Sequence, residues 1–318
     1  MKKWIRFKLV VVVVITTVVL ESCNEKSVTT SKEVALNTMP VSKEEQKAAN
    51  KALSEEFKKY WYAGNAEITS YKLKQARYGE VREGTSVLIY VTEPFLPEVQ
   101  VKADRSNKTN IPVLKLNATK KYLTGIYPYA IMSSTFYPVY DNQHAIKTSL
   151  SVQEWCGHVY SQLNNRGEFE FTSHSYFEGE ADQSFKLDKA ILENEIWNKI
   201  RIDPSALFIG EINIIPSLEF FRTKHVAIKA FPATASLTTS NGISTYTVDY
   251  GEDFRKLTID FTTAFPYTIE SWKEEFKSGF GANAKMLAST GTKIKRLKTP
   301  YWRQNSNKFV ALRDSLGL

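Results

Sequence analysis

A short apolar run near the N-terminus is the feature that most constrains how this chain can fold. Four basic residues between positions 2 and 8 precede twelve residues, Leu9 to Leu20, that consist of Val, Ile, Leu and Thr. A membrane-spanning helix needs about 20 apolar residues to cross a hydrocarbon core of about 30 Å. Twelve residues match the length of the hydrophobic region of a signal peptide. The folded body must therefore form from the residues that follow.

The run ends in Leu20-Glu21-Ser22-Cys23, which resembles the lipobox of bacterial lipoproteins. At a lipobox the Cys sulfur receives a diacylglycerol and the leader before it is removed. Glu21 departs from the small or apolar residue that the motif prefers at that position. The resemblance implies a lipid anchor on Cys23, with an uncleaved N-terminal anchor as the alternative.

These features predict three segments. Residues 1–22 form the signal peptide, residues 23–43 a polar flexible tether, and residues 44–318 a single β-rich globular domain. Removing residues 1–22 takes away four basic side chains and one acidic side chain, which lowers the formal net charge from +8 to +5. Cys156 is then the one cysteine left besides Cys23, so no internal disulfide is expected.

Strand signals dominate the globular part. A β-branched run covers Thr85–Thr92, and two hairpins turn at Asn164-Asn165-Arg166-Gly167 and at Ser240-Asn241-Gly242. The predicted hairpin strands are Trp155–Leu163 with Glu168–Phe177 and Lys224–Thr239 with Ile243–Tyr250, and Phe254–Phe265 is a candidate third strand of the second hairpin. The aromatic segment 122–140, which contains Pro128 and Pro138, is predicted to be an ordered loop over the sheet.

Helical spacing of apolar residues predicts a few helices. They are residues 42–64, Leu187–Ile200, Ile269–Phe276 and Asn307–Leu316. Long antiparallel hairpins with a few packed helices predict an α+β fold, built on one large curved antiparallel β-sheet that resembles a half-barrel.

One residue cluster suggests catalysis. If Asn165-Arg166 form its tip, the first hairpin places Gln162 opposite Phe169. Strand alternation would then place Glu154, Cys156 and His158 on one face, as a carboxylate, a thiol and an imidazole that could form a nucleophilic site or bind a metal. Residues two apart on a strand are separated by roughly 6.6 Å at Cα, so a direct Cys–His contact needs a distorted strand. The alternative is a structural Cys156.

Two further clusters could bind charged partners. Glu178, Glu180 and Asp182 place three carboxylates at alternate positions, which could hold a hard cation such as Ca²⁺, or could simply be solvated. The segment from residue 285 to residue 313 holds eight Lys or Arg and no acidic residue. Its densest basic residues are Lys293, Lys295, Arg296 and Lys298. In an exported protein such a surface would meet anionic lipid or an envelope partner rather than nucleic acid, or it would simply be solvated.

Three strings, together with the lipobox, resemble a family of flavobacterial-type envelope lipoproteins. They are QEWCGHVYSQLNNRG from Gln153, SHSYFEGEAD from Ser173 and FPYTIESWKEEFKSGFG from Phe265. Such proteins are sometimes labelled septum formation inhibitors, but the Ser and Pro-Arg-Arg motif of that pyrophosphatase family does not occur near the start of this chain. The resemblance implies an envelope location and transfers no active-site residue.

The sequence therefore favours a lipid-anchored envelope protein on the periplasmic side of the outer membrane. It is expected to be non-catalytic, to need no cofactor, and to bind an apolar ligand or a partner segment. Two alternatives are a partner-binding protein that uses the basic C-terminal surface and an envelope hydrolase that uses Cys156 and His158. The membrane is the expected partner of the N-terminal lipid.

Replacing Cys23 with Ala tests the anchor. The C23A chain should keep its leader, carry no added lipid mass and fractionate differently from an acylated parent, because the acyl acceptor is gone. Mass spectrometry of the purified chain and cell fractionation measure these outcomes. Ser22→Ala, which keeps a small residue before the thiol, is the control and should behave as the parent does. Unchanged processing and fractionation of C23A would contradict the lipoprotein prediction.

Overall fold

The structure is a computed structural model that describes residues 53–105, 107–140 and 143–318, all within one compact unit. The predicted signal peptide, the tether and Cys23 lie outside these residues. Strands account for most of the described fold. None of its helices is long and apolar enough to cross a membrane.

The described elements are three α-helices, five short 3-10 helices and sixteen strands. The α-helices are α1 (Glu55–Trp61), α2 (Glu193–Ile202) and α3 (Leu218–Lys224). The 3-10 helices are Pro204–Ala206, Gly281–Asn283, Tyr301–Arg303, Asn307–Leu312 and Asp314–Leu316. The strands are β1 (Ala66–Arg77), β2 (Glu80–Leu96), β3 (Val101–Lys102), β4 (Ile111–Thr124), β5 (Tyr127–Pro138), β6 (Lys147–Glu154), β7 (Gly157–Asn165), β8 (Phe169–Ser175), β9 (Gln183–Leu187), β10 (Ile191–Leu192), β11 (Gly210–Ile215), β12 (Phe231–Ser240), β13 (Ile243–Asp249), β14 (Arg255–Thr262), β15 (Ile269–Ser278) and β16 (Lys285–Thr299).

All sixteen strands belong to one open sheet. Its order is β10-β11-β12-β13-β14-β15-β16-β1-β2-β4-β5-β6-β7-β8-β9, and β3 pairs with β2 outside this path. Every pair is antiparallel except β10 with β11. The prediction of one large, mostly antiparallel sheet with a few packed helices is confirmed at this level.

Helix α2 lies on one face of the sheet, which we call the inner face. At the end of the helix Arg201 makes two hydrogen bonds to Glu67 of β1, with Nη1–Oε1 at 2.6 Å and Nη2–Oε2 at 2.8 Å. At its start Glu193 accepts a hydrogen bond from Arg255 of β14 at 2.6 Å. All four side chains are buried. Because an unpaired buried charge is strongly unfavourable, these pairs fix both ends of α2 on the sheet.

The opposite, outer face carries the C-terminal segment. Leu316 is buried there against Ala66 and Ile68 of β1, and the Ser70 hydroxyl donates to the Leu316 carbonyl. A strand alternates its side chains between the two faces, so β1 contributes to both packing layers. Tyr71 shares the inner face with Glu67 by this alternation and packs in the inner core, and the bulge opposite Ser70 and Tyr71 lies in β16, where Ile294 is the extra residue.

The second hairpin forms as predicted around its turn. Ser240 pairs with Ile243, and Asn241 and Gly242 both have positive φ, 51° and 78°. These are the residue types that tolerate such angles in a two-residue hairpin turn. β14 supplies the third strand. The predicted start at Lys224 is wrong, because that residue ends α3.

Two predictions about aromatic and apolar segments are wrong. Ile269–Phe276, predicted as a helix, belongs to β15. A bulge beside β14 brings Ile269 and Trp272 to the same face, and this mimics helical spacing. The aromatic segment 122–140, predicted as a loop, is mostly regular strand in β4 and β5, which pair from Val113 opposite Pro138 to Thr124 opposite Tyr127.

The other helix predictions are right only in part. The segment Leu187–Ile200 begins as strands β9 and β10 and becomes helical at Glu193. The C-terminal segment forms short 3-10 helices rather than one helix. Of the predicted helix 42–64, the described part contains α1, whose N-cap Ser54 accepts from the Phe57 amide at 3.1 Å.

Replacing Glu67 with Gln tests the anchoring of α2. Burial alone would raise the pKa of Glu67, but Arg201 and the Tyr60 hydrogen bond lower that pKa below its ordinary value of 4.5. The ionised Glu67 therefore stabilises the fold at pH values above 4.5, and this contribution is lost as the pH falls through the lower pKa that Glu67 has in the folded state. E67Q should lower the free energy of unfolding at pH 7 by about 3–5 kcal/mol, because Arg201 stays buried without a counter-charge.

Urea denaturation between pH 3 and pH 7 measures this effect. The difference in the free energy of unfolding between wild type and E67Q should become smaller as the pH is lowered. Glu55→Gln is the control, since its pair with Lys58 is exposed and should contribute under about 1 kcal/mol. Equal effects of the two substitutions at pH 7 would contradict the anchoring role.

Candidate functional site

A groove of about 570 Å³ opens on the inner face beside β7 and β8. Its other walls are α3, the connection after α3 (residues 225–230) and the connection between β8 and β9 (residues 176–182). Its apolar lining includes Val159, Phe171, Leu218, Phe221, Val226 and Ile228. A mostly apolar cavity in the range of about 300–1,000 Å³ is typical of small-molecule sites.

The register of two strands explains why the groove exists. Ser161 of β7 pairs with Ser173 of β8, and both side chains line the groove. Two small side chains side by side leave a space that larger residues would fill. Val159 and Phe171, which are buried, flank this space along their strands. The result is a recess with an apolar floor and two hydroxyl groups.

A charged cluster forms one rim of the groove. Glu180 Oε1 lies 3.2 Å from Arg222 Nη1 and 2.7 Å from His225 Nδ1, and Ser175 Oγ donates to Glu180 Oε2 at 2.8 Å. The guanidinium carbon of Arg222 lies 4.4 Å from the centre of the Phe177 ring. The cluster fastens the β8–β9 connection to the end of α3.

The contacts of His225 indicate its tautomer. Its Nε2 lies 3.4 Å from Arg222 Nη1 and its Nδ1 lies beside the Glu180 carboxylate. An arginine can only donate, so this arrangement makes Nε2 the acceptor and Nδ1 the donor to Glu180. His225 caps the C-terminal end of α3 in the left-handed conformation, with φ 55°, which directs the chain into the groove wall.

Two further cavities differ from this groove. One of about 50 Å³ lies under α2 among Lys120, Glu193 and Glu274, and it is too small for an organic ligand. Another of about 350 Å³ lies on the outer face between β-strands and the C-terminal segment. The groove beside β7 combines the larger volume with converging polar groups.

The predicted catalytic residues lie elsewhere. Cys156 is exposed in the turn between β6 and β7, and its amide donates to Glu154 Oε2 at 2.7 Å. His158 is exposed on β7 opposite Gln153. Among the described residues no hydrogen bond joins Cys156 to His158. The hydrogen bond from the thiol to Glu154, and the charge of that carboxylate, raise the pKa of Cys156 above its ordinary value, which disfavours the thiolate nucleophile.

The predicted register of the first hairpin is wrong by three residues. The prediction placed Gln162 opposite Phe169, whereas Asn165 occupies that position. An odd shift exchanges the two faces of a strand. Tyr160 and His158 therefore lie exposed, and Val159 and Ser161 face the inner side instead.

The three predicted metal-binding carboxylates do not converge. Glu180 is held by Arg222 and His225, Asp182 Oδ1 lies 3.3 Å from His174 Nδ1, and Glu178 is exposed. Within residues 53–105, 107–140 and 143–318, no three His, Cys, Asp or Glu side chains are placed to hold a metal ion.

The four predicted basic residues all lie on β16, where two of them contact polar groups of the sequence around β15. Lys293 forms an ion pair with Glu270. Arg296 Nη1 donates to the Thr268 hydroxyl at 2.7 Å. These contacts partly satisfy two of the donors that a partner would use.

The other two basic residues differ in their surroundings. Lys298 donates to the Tyr60 carbonyl and lies 3.3 Å from the centre of the Tyr60 ring. Lys295 is exposed and pairs with Ser70, whose hydroxyl contacts the C-terminal segment on the outer face. The four residues therefore do not form one continuous patch.

Sequence reasoning missed the residues of the groove. Arg222 and His225 were assigned near or within a strand, although Ser217 caps α3 by accepting from the Phe220 amide at 3.2 Å. Ser217, followed by Leu218 and Phe221 at helical spacing, was the available signal.

Comparison with protein-family models, with curated proteins and with solved structures finds no match for this chain.

Replacing Glu154 with Gln tests the environment of Cys156. In a chain that begins at residue 24, Cys156 is the one thiol. E154Q should lower the pKa of Cys156, because a neutral amide neither repels the thiolate nor accepts as strongly from the thiol. Alkylation by iodoacetamide at pH 7.5 should become severalfold faster, and Glu178→Gln should leave the rate unchanged. Equal rates in E154Q and wild type would show that Glu154 does not restrain the thiol.

Proposed function

We propose that this chain is a lipid-anchored envelope protein that binds an apolar ligand, without catalysis, in the groove between β7, β8 and α3. The observation that carries the proposal is the groove itself, with its volume of about 570 Å³ and its largely apolar lining. The predicted lipid anchor would hold this groove close to a bilayer, where apolar molecules are concentrated.

The lining supports an apolar body for the ligand. Val159 and Phe171 are 3% and 2% exposed, so they form a floor that solvent reaches only through the groove. Val226 and Ile228 in the groove wall are only partly buried, so they offer the apolar surface that a ligand would remove from water at about 25 cal/mol per Å². Ser161 and Ser173 add hydroxyl groups that can orient it.

We further propose that the sheet curves around α2 as a half-barrel does. Consecutive residues of α2 support this: Glu193 contacts Arg255 of β14, and the Asn194 carbonyl accepts from Thr135 of β5 at 3.4 Å. These two strands are six positions apart in the sheet, which in a flat sheet is roughly 29 Å at about 4.8 Å per strand. Curvature would bring both strands to one turn of the helix and would leave the groove at the end of the trough.

Filling the groove tests the proposed function. Ala227 is exposed in the groove wall, so Ala227→Trp should occupy the groove without disturbing the core. The chain from residue 24 onward contains every strand of the sheet, and we expect it to bind the neutral dye N-phenylnaphthylamine with a rise in fluorescence. A227W should weaken this binding by about tenfold or more, which corresponds to about 1.4 kcal/mol.

The matched control is Ala282→Trp, at an exposed position in the β15–β16 connection that does not line the groove. A282W should bind the dye as wild type does. Native mass spectrometry of the purified wild-type chain should also detect a co-purifying apolar molecule that A227W lacks. No dye binding by wild type, or the same loss in both variants, would overturn the proposal.

A further inference from the structure

The side chain of Arg222 lines the groove with a donor that is not used. Arg222 is 8% exposed, and its Nη1 contacts Glu180 at 3.2 Å. Its Nε–H has no hydrogen-bond acceptor among the described residues. A buried donor without an acceptor is unfavourable, so a group that supplies one would be bound there.

The location of Arg222 separates it from other arginines in the chain. Arg77, Arg82 and Arg255 also have a buried Nε without an acceptor. Arg77 lines a cavity of about 110 Å³, which is below the size of typical ligand sites. Arg222 lines the groove of about 570 Å³, where a ligand has room to reach the guanidinium.

The surroundings of the guanidinium favour an anion over a neutral acceptor. Stacking on Phe177 and the contact with Glu180 hold the guanidinium in place, so little freedom is lost when a second acceptor binds. Hydrogen bonds from a guanidinium to an anion are about twice as strong as those between neutral groups. Glu180 does not prevent such a second contact, because Arg255 in this same fold contacts two carboxylates, Glu193 and Glu274.

We propose that the ligand of the groove is an amphiphile with an anionic head, a carboxylate or a phosphate ester, whose oxygen accepts from Arg222 while its apolar body covers Val159 and Phe171. This inference rests on the proposed function, since it names the ligand class of the same groove. The formal charge of +5 expected for the chain after residue 22 also favours anionic ligands at long range.

Three probes that share one alkyl tail and differ in their head groups test the inference. They are dodecanoate, dodecyl phosphate and the neutral dodecanol, titrated calorimetrically into the chain from residue 24 onward. Each anion should bind about tenfold or more tightly than the alcohol, as expected for a charge-assisted hydrogen bond. The ratio between the two anions distinguishes a fatty-acid head from a phospholipid-type head.

Two variants of the rim move anion binding in opposite directions. Arg222→Gln should weaken both anions by about tenfold and leave dodecanol within about twofold, because only the charged donor is lost. Glu180→Gln should strengthen both anions, because it removes the carboxylate that competes for Arg222. Circular dichroism and a thermal melt establish that each variant is folded, and E180Q tests the inference even if R222Q does not fold.

The outcomes separate the two proposals. Equal affinity of wild type for all three probes, or equal weakening of all three by R222Q, would overturn the anionic head and leave the apolar groove standing. Unchanged anion affinity in E180Q would also count against the head-group role of Arg222. Binding of no probe, or binding that A227W does not weaken, would overturn the groove and this inference together.

Discussion

The buried ion pairs between α2 and the sheet determine how the rest of the inner face is arranged. Seven of the ten residues of α2 are buried, and five of them, among them Glu193, Lys199 and Arg201, carry charged or amide side chains. Removing two charges from water cancels most of their attraction, so such a pair adds little net stability. Leaving one charge buried and unpaired costs about 3–5 kcal/mol, however. Any placement of α2 that separates Arg201 from Glu67, or Glu193 from Arg255, is therefore unfavourable.

The position of α2 explains where the groove forms. The helix contacts β4, β5 and β14, and it covers the central strands of the inner face. The paired strands β7 and β8 lie farther along the sheet and receive α3 and the connection 225–230 instead. A seven-residue helix followed by an irregular segment cannot cover two strands as closely as a longer helix would. With Ser161 opposite Ser173, the space stays open.

The sequence predicted the elements with local signals and failed where tertiary structure decides. The Asn241-Gly242 turn requires positive φ from its own residues, so its hairpin was predictable. The bulge before Ser271 gives Ile269 and Trp272 the spacing of a helix, although both belong to β15. In α2 the apolar spacing gave no sign that Glu193 and Arg201 are also buried, each with a charged partner from a strand distant in sequence. No local pattern contains those partners.

The groove was hidden from sequence reasoning for a related reason, because it depends on register. The three-residue register error between β7 and β8 hid the pairing of Ser161 with Ser173. The apparent site of Cys156 and His158 came instead from extending strand alternation into residues 155–156, which form the turn before β7. Glu180 was noticed only as one of three carboxylates, whereas its role depends on Arg222, forty-two residues away. Burial removes water from a guanidinium, and Glu180 engages only one edge of it. The groove is thus a candidate site because Arg222 keeps a donor without an acceptor after folding, and an anionic ligand can supply that acceptor.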